Sequence, residues 1–257
     1  MTLPPPPTAR PLAMSALVLA AQLLGFIGII ALVAADGGLL SVVVAFERPL
    51  AADGSFGFVA GAGVPFSPEV AMLVPLGVAG TVTALAAMRS RRGALTASAA
   101  STLHWVGVSQ SLGITIVIVA ALNGVDEAAT IVALYALAAG SGMLGWLSDR
   151  TPRHDGSRAH LWPYAFLTVL AIVPWGVVAL VQVTGLVMGA PASPGVRVAT
   201  LVILAATAAW AAAEWAIARP AGAARDARGA ARLRIASSTA LASIPSGAVI
   251  VLGLLGG

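Results

Sequence analysis

The chain contains no cysteine and no lysine, and it carries few charges of either sign. Without cysteine there is no disulfide, no thiolate metal site and no cysteine nucleophile. Without lysine, all 14 basic residues are arginines. A GC-rich genome accounts for that bias in loops, but it leaves no side chain with a primary amine. Only 9% of residues are charged, against about a quarter in a soluble domain. So few charges cannot clothe a water-facing surface. The 59% of hydrophobic residues, with a mean hydropathy of +0.95, must in large part face lipid.

Other absences narrow the function classes. His104, His154 and His160 lack the spacing of a metal motif such as H-E-x-x-H, so no metal site is expected. There is no paired carboxylate at useful spacing, no G-x-S-x-G and no phosphate-binding loop, so no catalytic residue is expected and the chain is not read as an enzyme. Gly140, Gly142 and Gly145 spell G-x-G-x-x-G, but the motif closes an apolar helix instead of following a strand. Ser141 and Gly145 there form a small-x-x-x-small pair suited to close helix packing. The net charge of +4 does not imply a nucleic-acid partner, because the arginines sit in short loops between apolar runs.

What is present is a series of apolar runs. A helix crossing about 30 Å of hydrocarbon takes about 20 residues. Seven stretches qualify: 12–35, 68–89, 103–124, 127–147, 161–187, 196–218 and 233–255. The chain is therefore read as a single domain over 1–257, an all-α membrane protein with seven transmembrane helices. Residues 1–11, with prolines at 4–7, read as a disordered lead. The first span is read as a retained helix and not a signal peptide; cleavage near Ala35 would leave six spans. Ser67-Pro68-Glu69 reads as a cap, a proline and an acid opening the second span, and Asn123-Gly124-Val125-Asp126 as the end of the third. With the N-terminus cytoplasmic, twelve arginines fall inside and only Arg48 and Arg197 outside, which predicts an N-in, C-out orientation in the plasma membrane. In the long first extracellular loop, 36–66, Ser41–Phe46 and Phe56–Ala60 read as strands joined by Asp53-Gly54, a β-hairpin over the bundle.

Polar residues at bilayer depth are expensive and turn inward. His104, Ser111 and Thr115 share one face of the third span. Thr200, Thr207, Trp210 and Glu214 share one face of the sixth, and Thr239, Ser243 and Ser246 one of the seventh. Three such faces point to a common interior, although single Ser and Thr residues commonly bond their own helix backbone. Glu214 reads as the one acid well inside a span, about a turn from Arg219 and the inner boundary, where snorkelling or pairing is expected ahead of a buried functional carboxylate. His104, beside Trp105, reads as an interfacial histidine. Trp146, Trp162, Tyr164 and Trp215 fit an aromatic belt. Pro174 and Pro245 should kink the fifth and seventh spans.

Several of these segments carry a resemblance. HWVGVSQSLGITIVIVAALNGVDEAATIVALYALAAGSGMLGW in the third and fourth spans, Ile172-Val173-Pro174-Trp175 in the fifth, and Arg232 to Ser246 in the seventh resemble heliorhodopsins, inverted relatives of microbial rhodopsins. The resemblance implies a rhodopsin-like seven-helix bundle. In that family a lysine on the seventh helix bonds retinal, about four residues after a serine. Here the position is Leu241 or Ala242, depending on which of Ser237 and Ser238 is aligned. The family's glutamate counterion on the third helix is replaced by Gly107. The resemblance thus implies a heliorhodopsin-like protein with no covalent cofactor, serving sensing, signalling or regulation. A retinoid, carotenoid or lipid bound without a covalent bond is expected in a pocket walled by His104, Gly107, Ser111, Trp175, Trp210 and Ser238. The expected partners are the bilayer, a second copy in a homodimer, and a soluble regulatory protein on the cytoplasmic side. The alternative is a small transporter or channel using Glu214 and His104; a structural subunit is a third.

Overall fold

The computed structural model describes residues 10–34, 40–44, 63–92, 96–150, 162–218 and 227–256. Its elements run α1 (Arg10–Ala34), β1 (Val42–Val44), β2 (Val64–Phe66), α2 (Pro68–Ala71), α3 (Leu73–Arg91), α4 (Ala97–Leu122), α5 (Ala128–Arg150), α6 (Trp162–Val187), α7 (Pro194–Ala218) and α8 (Ala227–Gly256). Since α2 is a single turn, these are seven long helices among the described residues. Six spans are long and apolar enough to cross a membrane, and α1 contributes the shorter apolar stretch Gln22–Ala31. The chain is a multi-pass helical membrane protein.

The expected spans and the helices agree closely, with instructive differences. The second is split at Met72 into α2 and α3. Ser67 caps it by accepting from the Val70 N–H, with Pro68 in the first turn. The third starts at Ala97, six residues earlier than its hydropathy suggests, because Thr96 caps it and accepts from the Ala99 N–H at 3.1 Å. The first begins at Arg10, so the expected lead shortens to residues 1–9, which lie outside the described residues. Pro174 and Pro245 lie inside α6 and α8 as expected.

The two strands pair antiparallel, with Val42 opposite Phe66, Val43 opposite Pro65 and Val44 opposite Val64. The first is the one expected. Its partner is Val64–Phe66, further along the chain than the expected Phe56–Ala60. That segment and the Asp53-Gly54 turn lie outside the described residues. Pro65 cannot donate to a ladder, which suits a two-stranded sheet with open edges.

The helices close into a ring in which α4 is the most enclosed of the spans. Neighbours in contact are α4 with α5, α5 with α6, α7 with α8, α8 with α1, α1 with α3, and α3 with α4, whereas α6 and α7 meet sparsely. The α4–α5 contact is tight because glycines remove side chains from it. A Cβ on Gly142 would come 2.8 Å from Ser109 Cα, and one on Gly145 would overlap the Trp105 ring. Ser109 Oγ donates across this contact to the Ala139 carbonyl at 2.8 Å. The main apolar core includes Trp105, Leu112, Ile116, Ile203, Trp210 and Leu241; a second cluster joins Ile29, Met72, Leu76, Ile118 and Val249.

At the far end of α4, Asn123 caps the helix and Gly124 follows at φ +90°. The Val125 N–H bonds the Ala120 carbonyl and the Gly124 N–H bonds the Ala121 carbonyl, both at 3.0 Å. This is a Schellman termination, which takes glycine at the left-handed position. Gly124→Ala is therefore predicted to lower stability by about 1 kcal/mol. Thermal unfolding in lipid nanodiscs checks it; an unchanged or raised Tm would refute the strain. Asn123 also ties three helices together. Its Nδ2 donates to Thr200 Oγ1 on α7 at 2.9 Å, and Gln182 Nε2 on α6 donates to its Oδ1 at 2.7 Å.

Candidate functional site

At the opposite end of the bundle, where α4 begins and α5 and α7 end, four helices bring ionisable groups together. Arg234 on α8 is the hub. Its Nη1 donates to Asp149 Oδ2 at 3.0 Å and its Nε to Glu214 Oε2 at 3.1 Å. A planar guanidinium with five donors can hold two carboxylates in this way, which an ammonium does less well. On α5, Asp149 Oδ2 also accepts from Trp105 Nε1 at 2.9 Å and from Ser101 Oγ at 2.8 Å, both on α4. On α7, the other oxygen of Glu214, Oε1, lies 3.1 Å from His104 Nε2. Neither of those two atoms makes a hydrogen bond.

The cluster is well shielded. The Glu214 side chain is 3% exposed, His104 and Asp149 11% each, and Arg234 23%. Below it lies an aromatic plug. His104 stands edge-on to Trp105 with centroids 5.0 Å apart, Trp105 stands edge-on to Trp210 at 6.3 Å, and the Arg234 guanidinium lies 5.7 Å from the Trp105 ring centroid. Tyr164 of α6 is buried beside Ser148, within the field of Asp149, Glu214 and Arg234. Around the rim, Arg150 stacks on Trp146 and donates to Thr102 Oγ1 at 3.1 Å.

The fold positions these groups by simple helical spacing. Arg234, Ser238 and Leu241 follow i, i+4, i+7 on α8, and Ser238 Oγ donates back to the Arg234 carbonyl at 2.8 Å. Trp210 lies one turn before Glu214 on α7. Asp149 lies four residues after Gly145 and seven after Gly142, so it shares the small-residue face that α5 turns toward α4. In each case a polar group sits at the helix end and a core residue lies a turn or two deeper.

The placement of the expected site residues is mixed. His104 and Glu214 meet in the cluster, and Trp210 lies beneath it. Glu214 pairs with Arg234 and His104, and Arg219 lies outside the described residues; α8 reaches Glu214 because it runs alongside α7. Tyr164 is buried in the bundle instead of standing in a belt, whereas Trp215 is exposed. Gly107 is turned to α3, where a Cβ would sit 3.5 Å from Val82 Cγ2. Ser111, Leu241 and Ala242 are buried, Leu241 completely. Among the named walls, Trp175 alone lines the internal cavity, with Leu112, Thr115, Ser141, Pro174 and Thr207. That cavity has about 10 Å³ of free space, room for about one water. Thr115 and Thr207 do bring two of the polar faces together there. The third does not join them: Thr239 and Ser246 bond carbonyls of their own helix at 2.7 and 2.9 Å. Sequence reasoning missed Asp149 and Arg234 by assigning both to a loop edge. The signal was available, since each continues the inward face of its helix by one more turn.

Two comparisons bear on this architecture. The heliorhodopsin family model matches residues 17–218, most of the chain. No curated protein matches it.

Proposed function

Because the chain belongs to the heliorhodopsin family and yet holds no lysine, we propose that it works without covalently bound retinal, as a non-photochemical sensor, signalling or regulatory protein. The missing amine carries this reading. A Schiff base needs a primary amine to form, and a buried protonated one needs an anion beside it. The seventh-helix position is Leu241, fully buried among apolar neighbours, or Ala242, also buried, and Gly107 offers no carboxylate. These residues do not fit a covalent retinal.

A retinoid, carotenoid or lipid held non-covalently would enter beside Trp175, where α6 and α7 meet sparsely. The arginine-rich end of the bundle, with Arg89, Arg92 and Arg150, is proposed to face the cytoplasm, N-terminus inside, and to receive a soluble regulatory partner. The chain is proposed to have no catalytic role and to sit in the plasma membrane.

The test is purification from cells supplied with all-trans retinal. The expected protein is colourless after detergent washing. A red-shifted visible band that survives washing and is lost with hydroxylamine overturns the proposal. A second reading, proton-coupled transport, draws on the contact of His104 with Glu214. It expects flux in proteoliposomes that Glu214→Gln abolishes, and the absence of flux removes it.

A further inference from the structure

We infer that the ionic cluster is a proton-binding site, with the proton held between His104 Nε2 and Glu214 Oε1, and that this proton latches α7 onto α4. The inference deepens the sensor reading above and rests on it for its biological meaning, though its chemistry stands on the cluster alone.

Asp149 and Glu214 bring two negative charges and Arg234 one positive charge. With a neutral imidazole the set holds one uncompensated negative charge in a shielded site, which is costly. The geometry says where the compensating proton goes. Every other strong acceptor of the cluster is engaged: Asp149 by Arg234, Trp105 and Ser101, and Glu214 Oε2 by Arg234. Glu214 Oε1 and His104 Nε2 lie 3.1 Å apart, at ion-pair distance, and neither makes a hydrogen bond. Two bare lone pairs at that distance repel; a proton between them turns the contact into an ion pair. The cluster then sums to zero.

Among the described residues, several helices place charged or titratable groups around His104. From α5 come Asp149 and Arg150, from α6 Tyr164, from α7 Glu214 and from α8 Arg234. Next to His104 on α4 stands Trp105, and α3 brings Arg89 and Arg91 to the same end of the bundle. Only Glu214 touches the imidazole through a free oxygen. The mechanical consequence follows from packing. Backbone contact between α7 and α4 is slight, so side chains join the pair: the Trp105–Trp210 contact, the Asn123–Thr200 bond and the His104–Glu214 pair. Losing the proton removes one of them.

The experiment uses the full chain in lipid nanodiscs. His154→Asn with His160→Asn leaves His104 as the only histidine. Nitrogen-15 labelling then reads the ring directly. The expected result at neutral pH is an imidazolium, both nitrogens protonated, converting to the neutral ring on alkaline titration. Glu214→Gln should give the neutral ring at neutral pH. A neutral ring in the intact cluster at neutral pH overturns the proposal, as does an imidazolium that persists unchanged in Glu214→Gln. Should the glutamine variant fail to fold, tryptophan emission decides. Imidazolium quenches the adjacent Trp105, so emission of the unsubstituted chain should rise with pH, and a flat profile overturns the latch. A retinal band in the earlier experiment would sink the retinal-free reading while leaving this titration intact, and a neutral His104 would do the reverse.

Discussion

Arg234→Gln is expected to destabilise the bundle by about 3–5 kcal/mol, the usual penalty for removing one partner of a buried ion pair. The substitution withdraws three donors from Asp149 and Glu214 at once. Two carboxylates are then left in a shielded site with no cation between them. Arg234→Lys should recover only part of the loss, because an ammonium is a point charge and cannot lie in plane with both acids. The informative control removes the charges together. Arg234→Met with Asp149→Asn and Glu214→Gln should restore most of the stability, since apolar or neutral replacement of a whole buried ionic set is often tolerated. Thermal unfolding in nanodiscs reads all three. If Arg234→Gln melts with the unsubstituted protein, the cluster is solvated and the electrostatic account fails.

The second large effect is steric. Gly145→Leu should cost more than the usual 1–3 kcal/mol of an overpacked core, enough to abolish folded protein on expression. Any Cβ at this position overlaps the six-membered ring of Trp105. That ring is not free to yield: its Nε1 is bonded to Asp149 and its face meets Trp210 edge-on. Either α5 moves away from α4 or the indole leaves the ionic cluster. Even Gly145→Ala should be harmful. Gly140→Ala, five residues earlier on the same helix, meets nothing within 4 Å. It should be neutral, or stabilising by up to about 1 kcal/mol through helix propensity. Yields by size-exclusion chromatography and melting curves separate the two positions. Equal behaviour of both alanine variants would mean that close packing does not hold α4 against α5.

How much of this was legible in the sequence depends on the kind of signal. Helix positions were, because hydropathy and the capping residues Ser67 and Asn123 both mark them. The start of α4 was not, since Ala97 to Thr102 is too polar for a hydropathy reading and only the Thr96 cap announces it. The first strand was readable from Val42–Val44. Its partner was misplaced because Pro65 argues against a strand, and only the paired structure shows that an edge tolerates it. Of the site, Glu214 and His104 stood out as polar residues within apolar runs. Asp149 and Arg234 did not, because opposite charges near a helix end look like solvated flanks until tertiary packing brings α5 and α8 within bonding distance. A residue's depth is a property of the bundle, not of its neighbours in sequence.

The helix α7 is clamped near both extremities, by Thr200 to Asn123 and by Glu214 to Arg234 and His104, and it is backed closely by α8 while meeting α6 sparsely. A rod pinned at its ends and backed on one side bows toward the open side more readily than it slides or tilts. Thr207, midway along the helix, lines the small cavity with Trp175. Slackening one pin therefore translates into a change of curvature at the centre of the bundle, with the remote end held still.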